Sequence, residues 1–190
     1  MGVKAAFAIN AVTFVLSALV LIGLQAGRTP ADIAVRGWDG VLAGVQAVRA
    51  DPLLKRLAVV QVLASMSAGA TGGLLVVLAE RWLGVGAGGF GSLLAAIGIG
   101  AALGPLLFRR FIRAGDKRWL FGPFAVRGGV DLTLAAVGNP LVAGAALVAY
   151  GISTSTGMVA YQSTLQTLVP STTRGRAFAF YDVLWNSARL

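Results

Sequence analysis

The chain has 190 residues, of which 57% are hydrophobic and only 12% are charged, and its mean hydropathy is +0.80. A soluble domain carries about 25% charged residues, so this composition indicates a membrane protein. The chain has no cysteine and no histidine, which excludes disulfides, thiolate metal sites and catalytic cysteine or histidine relays. The net charge of +9 does not indicate a nucleic-acid binder, because the basic residues lie between long apolar runs rather than on one solvated face.

The apolar run from Ala5 to Gln25 is longer than the core of a signal peptide, and no small-residue cleavage pattern followed by a soluble sequence comes after it. We therefore predict that this run is a transmembrane span.

A helix needs about 20 mostly apolar residues to cross a hydrocarbon core of about 30 Å. Stretches that meet this requirement predict five complete spans, at Ala5 to Gln25, Leu57 to Ala79, Ala87 to Phe108, Trp119 to Gly138 and Leu141 to about Leu168. A further apolar helix begins near Ala177 and stops at Leu190 before it could cross, which indicates truncation. The predicted fold class is an all-α, polytopic transmembrane helical bundle with five spans and the start of a sixth.

The predicted organisation is a first span over 1–25, a cytoplasmic linker over 26–56 and a C-terminal bundle over 57–190. Within the linker, apolar residues recur at helical spacing between Trp38 and Ala50. This spacing predicts a helix near 38–50, either interfacial or packed as a short soluble helix on the cytoplasmic helix ends. Asp51 and Pro52 would end that helix.

The distribution of basic residues predicts the orientation, because Lys and Arg near span ends stay on the cytoplasmic side. Twelve of them fall on one side: Arg28, Arg36, Arg49, Lys55, Arg56, Arg109, Arg110, Arg113, Lys117, Arg118, Arg174 and Arg176. Only Lys4 and Arg81 fall on the other side. The N-terminus of this chain is therefore predicted to be external.

Small residues dominate the third span, where Gly100 and Gly104 have small-xxx-small spacing. In lipid such residues let two helix backbones approach closely. The pattern fits a sliding or rocking interface and fits a static packed bundle equally well.

Span four contains a charged pair, Arg127 and Asp131, at i and i+4 on one helix face. We expect them to pair with each other. One hypothesis is a proton-coupling carboxylate beside its arginine, because ionisable residues at membrane depth often mark ion or proton paths. The alternative is a structural salt bridge, with Arg127 reaching toward the cytoplasm.

Spans two and five carry neutral polar residues that are candidates for lining a substrate cavity. The candidates are Gln61, Ser65, Thr71, Tyr150, Ser153, Thr154 and Gln162. Glycines among them can weaken a helix locally where a transporter bends. Ser and Thr in spans also bond back to their own helix, so a structural role is the alternative.

The sequence contains no paired catalytic carboxylates, no metal-ligand cluster and no phosphate-binding glycine loop with lysine. An intramembrane enzyme would need catalytic groups elsewhere, so we expect neither an enzyme nor a cofactor, and no ATP hydrolysis by this chain.

The chain resembles the major facilitator superfamily, in particular its bacterial drug-efflux and enterobactin-exporter-like branch. The resemblance rests on INAVTFVLSALVL from Ile9 to Leu21, ADPLLKR from Ala50 to Arg56, FGSLLAAIGIGAALGPLL from Phe90 to Leu107, and LQTLVPSTTRGRAFAF from Leu165 to Phe180. It implies that the five spans are helices six to ten of a twelve-helix transporter, with the start of helix eleven. Spans two and five would then face the central cavity, whereas span four would be the peripheral helix nine, which counts against Arg127 and Asp131 as the coupling site.

The resemblance also implies cytoplasmic gating loops. Gly104, Arg109, Arg110 and Arg113 match the family's loop motif loosely, with Phe108 near the place of its acidic residue, while Arg174, Gly175 and Arg176 match a later cytoplasmic turn.

Together these features predict part of a proton-coupled exporter of drugs or siderophore-like molecules in the bacterial inner membrane, working by alternating access with an N-terminal helical bundle missing from this chain. The expected partners are the bilayer, a small-molecule substrate and protons. The alternative function is a non-transporting membrane scaffold or a degenerate half-transporter.

Overall fold

The structure is a computed structural model that describes residues 3–22, 42, 45–46 and 48–188, except for the side chains of residues 3, 6, 171–173 and 176. The chain divides into two compact units, Met1–Ala34 and Val35–Leu190. The smaller unit contains helix α1, Val3–Ile22. Its apolar side chains are exposed, as Phe14 and Ile22 illustrate, and the Ser17 hydroxyl bonds back to the Thr13 carbonyl at 2.8 Å.

The larger unit consists of helices joined by short turns. They are α2, Pro52–Val77, which continues as a π-helical turn over Leu78–Trp82; α3, Gly86–Phe108; α4, Lys117–Ala136; α5, Pro140–Leu168; and α6, Ser171–Ala188. Among the described residues outside these helices, 42, 45–46 and 48–50 are helical and the others lie in turns or irregular connections. The predicted all-α class is thus confirmed for the part of the chain that the structure describes.

By length and composition, three of the described helices could cross a membrane: Pro52–Trp82, Gly86–Phe108 and Pro140–Leu168. Phe7–Ile22 is a shorter apolar helix. Helix α4, predicted from its apolar residues as a span, is not among the three because Arg127 and Asp131 lower its hydropathy. The number of spans and the twelve-helix context stay predictions.

Side-chain caps explain where two of the long helices begin. Asp51 accepts hydrogen bonds from the N–H groups of Leu53 at 2.7 Å and Leu54 at 3.3 Å, and proline follows at the first helical position. Helix α2 therefore begins before Leu57, the predicted start of the span. Asn139 caps α5 in the same way through the N–H of Leu141, at 2.8 Å. Helix α6 likewise begins at Ser171, before the predicted start near Ala177.

The predicted helix near 38–50 lies largely outside the described residues. Of its apolar stripe, Val48 is described and is 4% exposed. It packs in a core cluster with Leu54 and Leu57.

The helices cross most closely between α3 and α5. A Cβ at Gly100 would overlap the carbonyl of Val148, and one at Gly151 would overlap the carbonyl of Ile97. At Gly104 a Cβ would lie 2.8 Å from the Ile152 carbonyl oxygen. The small-xxx-small spacing in α3 therefore marks a backbone-to-backbone crossing, with a glycine supplied by each helix.

Two hydrophobic clusters form the core of the larger unit. One gathers the beginnings of α2 and α4 with the end of α5 and with α6, through residues such as Leu57, Leu120 and Leu165. The other gathers the end of α2 with the beginnings of α3 and α5, through Leu75, Leu93 and Leu147. Polar side chains lie between these clusters.

Candidate functional site

A polar cluster joins helices α2, α4 and α5 in the larger unit. It consists of Ser67, Thr71, Arg127, Asp131 and Tyr150 and is called the Arg127 cluster below. Arg127 is 5% exposed, and a buried guanidinium is costly unless its donors are bonded.

Arg127 is held from two neighbouring helices. Its Nη2 donates to the Tyr150 hydroxyl at 3.0 Å on α5, and to the Ser67 hydroxyl at 3.3 Å and the Ala64 carbonyl at 3.4 Å on α2. Its Cζ lies 4.8 Å from the centroid of the Tyr150 ring, a cation–π distance. Its Nε has no partner among the described residues. Arg127 therefore fastens α4 to both α2 and α5.

The direct pairing of Arg127 with Asp131 stays a prediction, and the structure shows a third side chain that bonds to both groups. Ser67 lies between them: its hydroxyl accepts from Arg127 at 3.3 Å and donates to Asp131 Oδ2 at 3.4 Å. The i, i+4 spacing brings both side chains to the face of α4 that meets α2, where the Ser67 hydroxyl separates them.

The remaining carboxylate oxygen of Asp131 faces Thr71. Thr71 Oγ1 lies 3.4 Å from Asp131 Oδ1, but it also lies 2.8 Å from the Ser67 carbonyl oxygen. A hydroxyl has one proton, and the shorter contact with the carbonyl takes it. The Thr71 hydroxyl therefore lies between the Ser67 carbonyl and the Asp131 carboxylate.

Asp131 also opens onto a groove of about 520 Å³ between α2 and α4, called the acidic groove. Ser67 and Thr71 line it together with apolar residues that include Leu74, Leu78 and Trp82. The Arg127 end of the cluster is thus buried, whereas the Asp131 end is accessible from the groove.

A second groove, of about 800 Å³, lies where the loop between α3 and α4 meets α5, and is called the basic groove. Arg110, Arg113, Asp116 and Arg118 lie at its rim with the exposed Phe111 and Val126, and the rest of its lining consists of Phe108, Trp119, Gly122, Pro123, Ala149, Ile152, Ser153 and Thr156. Two gating-loop candidates, Arg110 and Arg113, and one cavity candidate, Ser153, therefore share one groove.

The loop at the basic groove is anchored by a contact that sequence reasoning missed. The N–H of Gly115 donates to Thr164 Oγ1 at 2.8 Å, and Thr164 is fully buried in α5. Gly115 has a φ of +78°, a conformation that glycine adopts readily. The Gly-Asp pair signals a turn, but nothing in the sequence connects it with a threonine 49 residues later.

The other cavity candidates lie apart from these contacts. Gln61 and Ser65 are buried on α2, where the Ser65 hydroxyl bonds to the Val62 carbonyl at 3.0 Å. Thr154 and Gln162 are half-buried on α5, and Thr154 Oγ1 is buried with no partner among the described residues.

The other gating-loop candidates have different surroundings. Gly104 lies inside the α3–α5 crossing rather than in the loop. Arg109 is exposed and does not line the basic groove. Arg174 donates to the Val169 carbonyl at 3.3 Å, Gly175 is exposed, and the side chain of Arg176 lies outside the described residues.

Comparison with protein families gives a match that extends over residues 1–188, to the family of transmembrane secretion effectors. The chain belongs to this family. The transmembrane secretion effectors are transporters of the major facilitator type, so the predicted superfamily and the predicted membrane transport class are confirmed, and a bilayer and a small-molecule substrate fit the chain as partners. Searches of curated proteins and of solved structures give no match. The predicted drug-efflux and enterobactin-exporter-like branch stays a prediction for this chain.

Proposed function

We propose that this secretion effector forms the C-terminal bundle of a proton-coupled exporter of drug-like or siderophore-like molecules, located in a bacterial inner membrane with the N-terminus of this chain external. In this proposal α1 is helix six and α2 to α6 are helices seven to eleven of a twelve-helix transporter. A partner bundle supplies the other wall of the cavity, and alternating access exposes that cavity to each side in turn. The family match and the order of the helices support this assignment.

The observation that carries the coupling part of the proposal is the Arg127 cluster. Ionisable groups inside membrane proteins are rare and mark ion or proton paths by default. Arg127 acts as the structural clamp, because its donors are spread over α2 and α5. Asp131 is the proton acceptor in this proposal, because its carboxylate lines the acidic groove and is the acidic group of the cluster.

Alternating access requires parts of the bundle to move as rigid bodies, and the α3–α5 crossing provides one such part. Glycines on both helices let the backbones meet without interlocking side chains. The crossing therefore keeps α3 and α5 together as one rigid pair against which a partner bundle could rock.

Transport by the full-length protein in proteoliposomes tests the proposal. Ethidium and a ferric catecholate serve as drug-like and siderophore-like probes, and their accumulation is followed with and without an imposed pH gradient. Asp131→Asn should lose gradient-driven accumulation and retain gradient-free exchange of the probe, because the neutral amide preserves packing but binds no proton.

Asp182→Asn is the matched control, since Asp182 is exposed on α6 and lies outside both grooves. It should transport like the unmodified protein. Gradient-driven accumulation that persists in Asp131→Asn would remove Asp131 from the coupling path. A correctly folded unmodified protein that moves neither probe would instead favour the scaffold function.

A further inference from the structure

The basic groove has a charged rim and a mostly apolar wall. Two side chains of that wall, Ser153 and Thr156, carry hydroxyl groups, and both hydroxyl protons are already bonded. Ser153 is 4% and Thr156 is 3% exposed. The Ser153 hydroxyl donates to the Tyr150 carbonyl at 2.9 Å, and the Thr156 hydroxyl to the Ile152 carbonyl at 2.8 Å. Both protons are used within α5, so this wall of the groove behaves as an apolar surface.

Gly122 leaves room along the floor of the groove. A Cβ at this position would meet no atom within 4 Å, although Gly122 lines the groove together with Val126 and Ile152. The result is an apolar channel along α4 and α5 that begins at the loop. A hydrocarbon chain suits such a channel better than a polar solute, because burying an unpaired polar group is costly.

The rim favours an anion. Arg110, Arg113 and Arg118 are exposed and Asp116 is half-buried, so the rim carries three guanidinium groups and one carboxylate. The Asp116 carboxylate is already engaged at the start of α4, where it accepts the N–H of Arg118 at 2.9 Å. The rim therefore keeps a positive charge, and arginine groups bind phosphate oxygens in a bidentate manner.

We infer that the basic groove binds one anionic phospholipid, with its phosphate at Arg110, Arg113 and Arg118 and an acyl chain along Gly122, Val126 and Ile152. The arginines at the rim complement the charge of the phosphate, and the apolar lining suits the acyl chain. The position of the groove matches as well, because it begins at the loop that joins two helices and contains Trp119, an indole of the kind that settles at the headgroup level. A volume of about 800 Å³ is within the range of small-molecule pockets.

Trp119 provides a direct reporter, because bromine atoms on a lipid acyl chain quench tryptophan fluorescence only at contact. The full-length protein, with every tryptophan other than Trp119 replaced by Phe, including Trp38, Trp82 and Trp185 of this chain, is reconstituted into bilayers that contain brominated phosphatidylglycerol or brominated phosphatidylcholine. Quenching of Trp119 at equal mole fractions measures the preference for the anionic lipid. We expect a preference of about fivefold for each arginine that contacts the headgroup.

Two kinds of variant separate the halves of the site. Arg113→Gln should lower the preference about fivefold, whereas Arg109→Gln should leave it unchanged, because Arg109 is exposed on the same loop but does not line the groove. Gly122→Leu should fill the channel and reduce the preference to that of bulk lipid. Gly128→Leu, at an exposed position of α4 with nothing within 4 Å, should retain the preference.

The competing sources of phosphate are distinguished by adding a large excess of inorganic phosphate at constant ionic strength. Quenching by the anionic lipid should persist, since the acyl chain contributes to binding. Loss of quenching under inorganic phosphate would overturn the lipid assignment in favour of a soluble anion. Equal effects of the Arg109 and Arg113 variants would overturn the assignment of the lipid site to the basic groove. An unchanged preference in a folded Gly122→Leu protein would overturn it as well.

Discussion

Arg127 on α4 donates a 3.0 Å hydrogen bond to the hydroxyl of Tyr150 on α5, which lies 23 residues later in the chain. The same guanidinium lies against the Tyr150 ring, with its Cζ 4.8 Å from the ring centroid. Because Arg127 is 5% exposed, this tyrosine supplies a large part of its environment.

Tyr150→Phe should lower the free energy of unfolding by about 1–3 kcal/mol, because it removes the shortest hydrogen bond of a buried cation and leaves its Nη2 with the longer contacts to Ser67 and Ala64. Thermal unfolding in detergent measures the change. Tyr161→Phe is the matched control: the Tyr161 hydroxyl is buried with no partner among the described residues, so its removal should leave stability unchanged or raise it. An equal loss in both variants would show that the Arg127 contact contributes nothing.

Gly100→Ala should destabilise the protein by about 1–3 kcal/mol, because the added Cβ overlaps the Val148 carbonyl and forces α3 away from α5. The comparison variant is Gly98→Ala on the same helix, where a Cβ would meet nothing within 4 Å. It should be neutral or slightly stabilising, since Ala favours helix more than Gly. Unfolding midpoints of the two proteins in the same detergent decide the matter, and similar midpoints would contradict the close crossing.

Loss of the Gly115 anchor should expose the loop of the basic groove to protease. Thr164→Val removes the acceptor of the Gly115 N–H, and Gly115→Ala places a Cβ at a φ of +78°, which costs about 1–2 kcal/mol. Both variants should be cut faster by trypsin between Arg109 and Arg118. Thr164→Ser retains the hydroxyl and should be cut at the original rate. A uniform rate across all four proteins would show that the contact does not hold the loop.

The predicted orientation can be measured with single introduced cysteines, because this chain has none and any cysteine in the rest of the full-length protein can be replaced by serine. Ala114→Cys places a thiol in the loop after α3, and Gly138→Cys places one in the turn before α5, both at exposed positions. In intact cells a membrane-impermeant maleimide should label Gly138→Cys and should reach Ala114→Cys only after permeabilisation. The reverse pattern would invert the topology and move the basic groove to the external surface.

Local patterns were sufficient to predict the helices of the larger unit. Apolar runs of the length of a bilayer predicted α2, α3 and α5, and the Asp51-Pro52 and Asn139-Pro140 pairs lie where caps begin two of them. Such signals depend on residues within a few positions of each other, and so they are readable without a partner helix. The extra turns at the starts of α2 and α6 were missed, because polar residues there lower the hydropathy without preventing helix formation.

The glycine pattern of α3 was predictive in part. The spacing of Gly100 and Gly104 indicated a close helix contact, but it did not identify the partner. The structure shows that α5 is the partner and that Gly151 completes the crossing. The spacing of glycines along one helix shows which of its faces lacks large side chains. Which other helix packs on that face depends on the topology of the whole bundle.

The composition and spacing of the residues alone determined a helical membrane protein, its family resemblance and the shared face of Arg127 and Asp131. Only the tertiary structure decided that Ser67 separates these two charges, that Tyr150 receives the guanidinium, and that Thr164 holds the loop at Gly115. The physical reason is the length scale of the interactions. Helix formation and membrane partition act within one segment, whereas each of these hydrogen bonds joins groups that approach only after separate helices have packed.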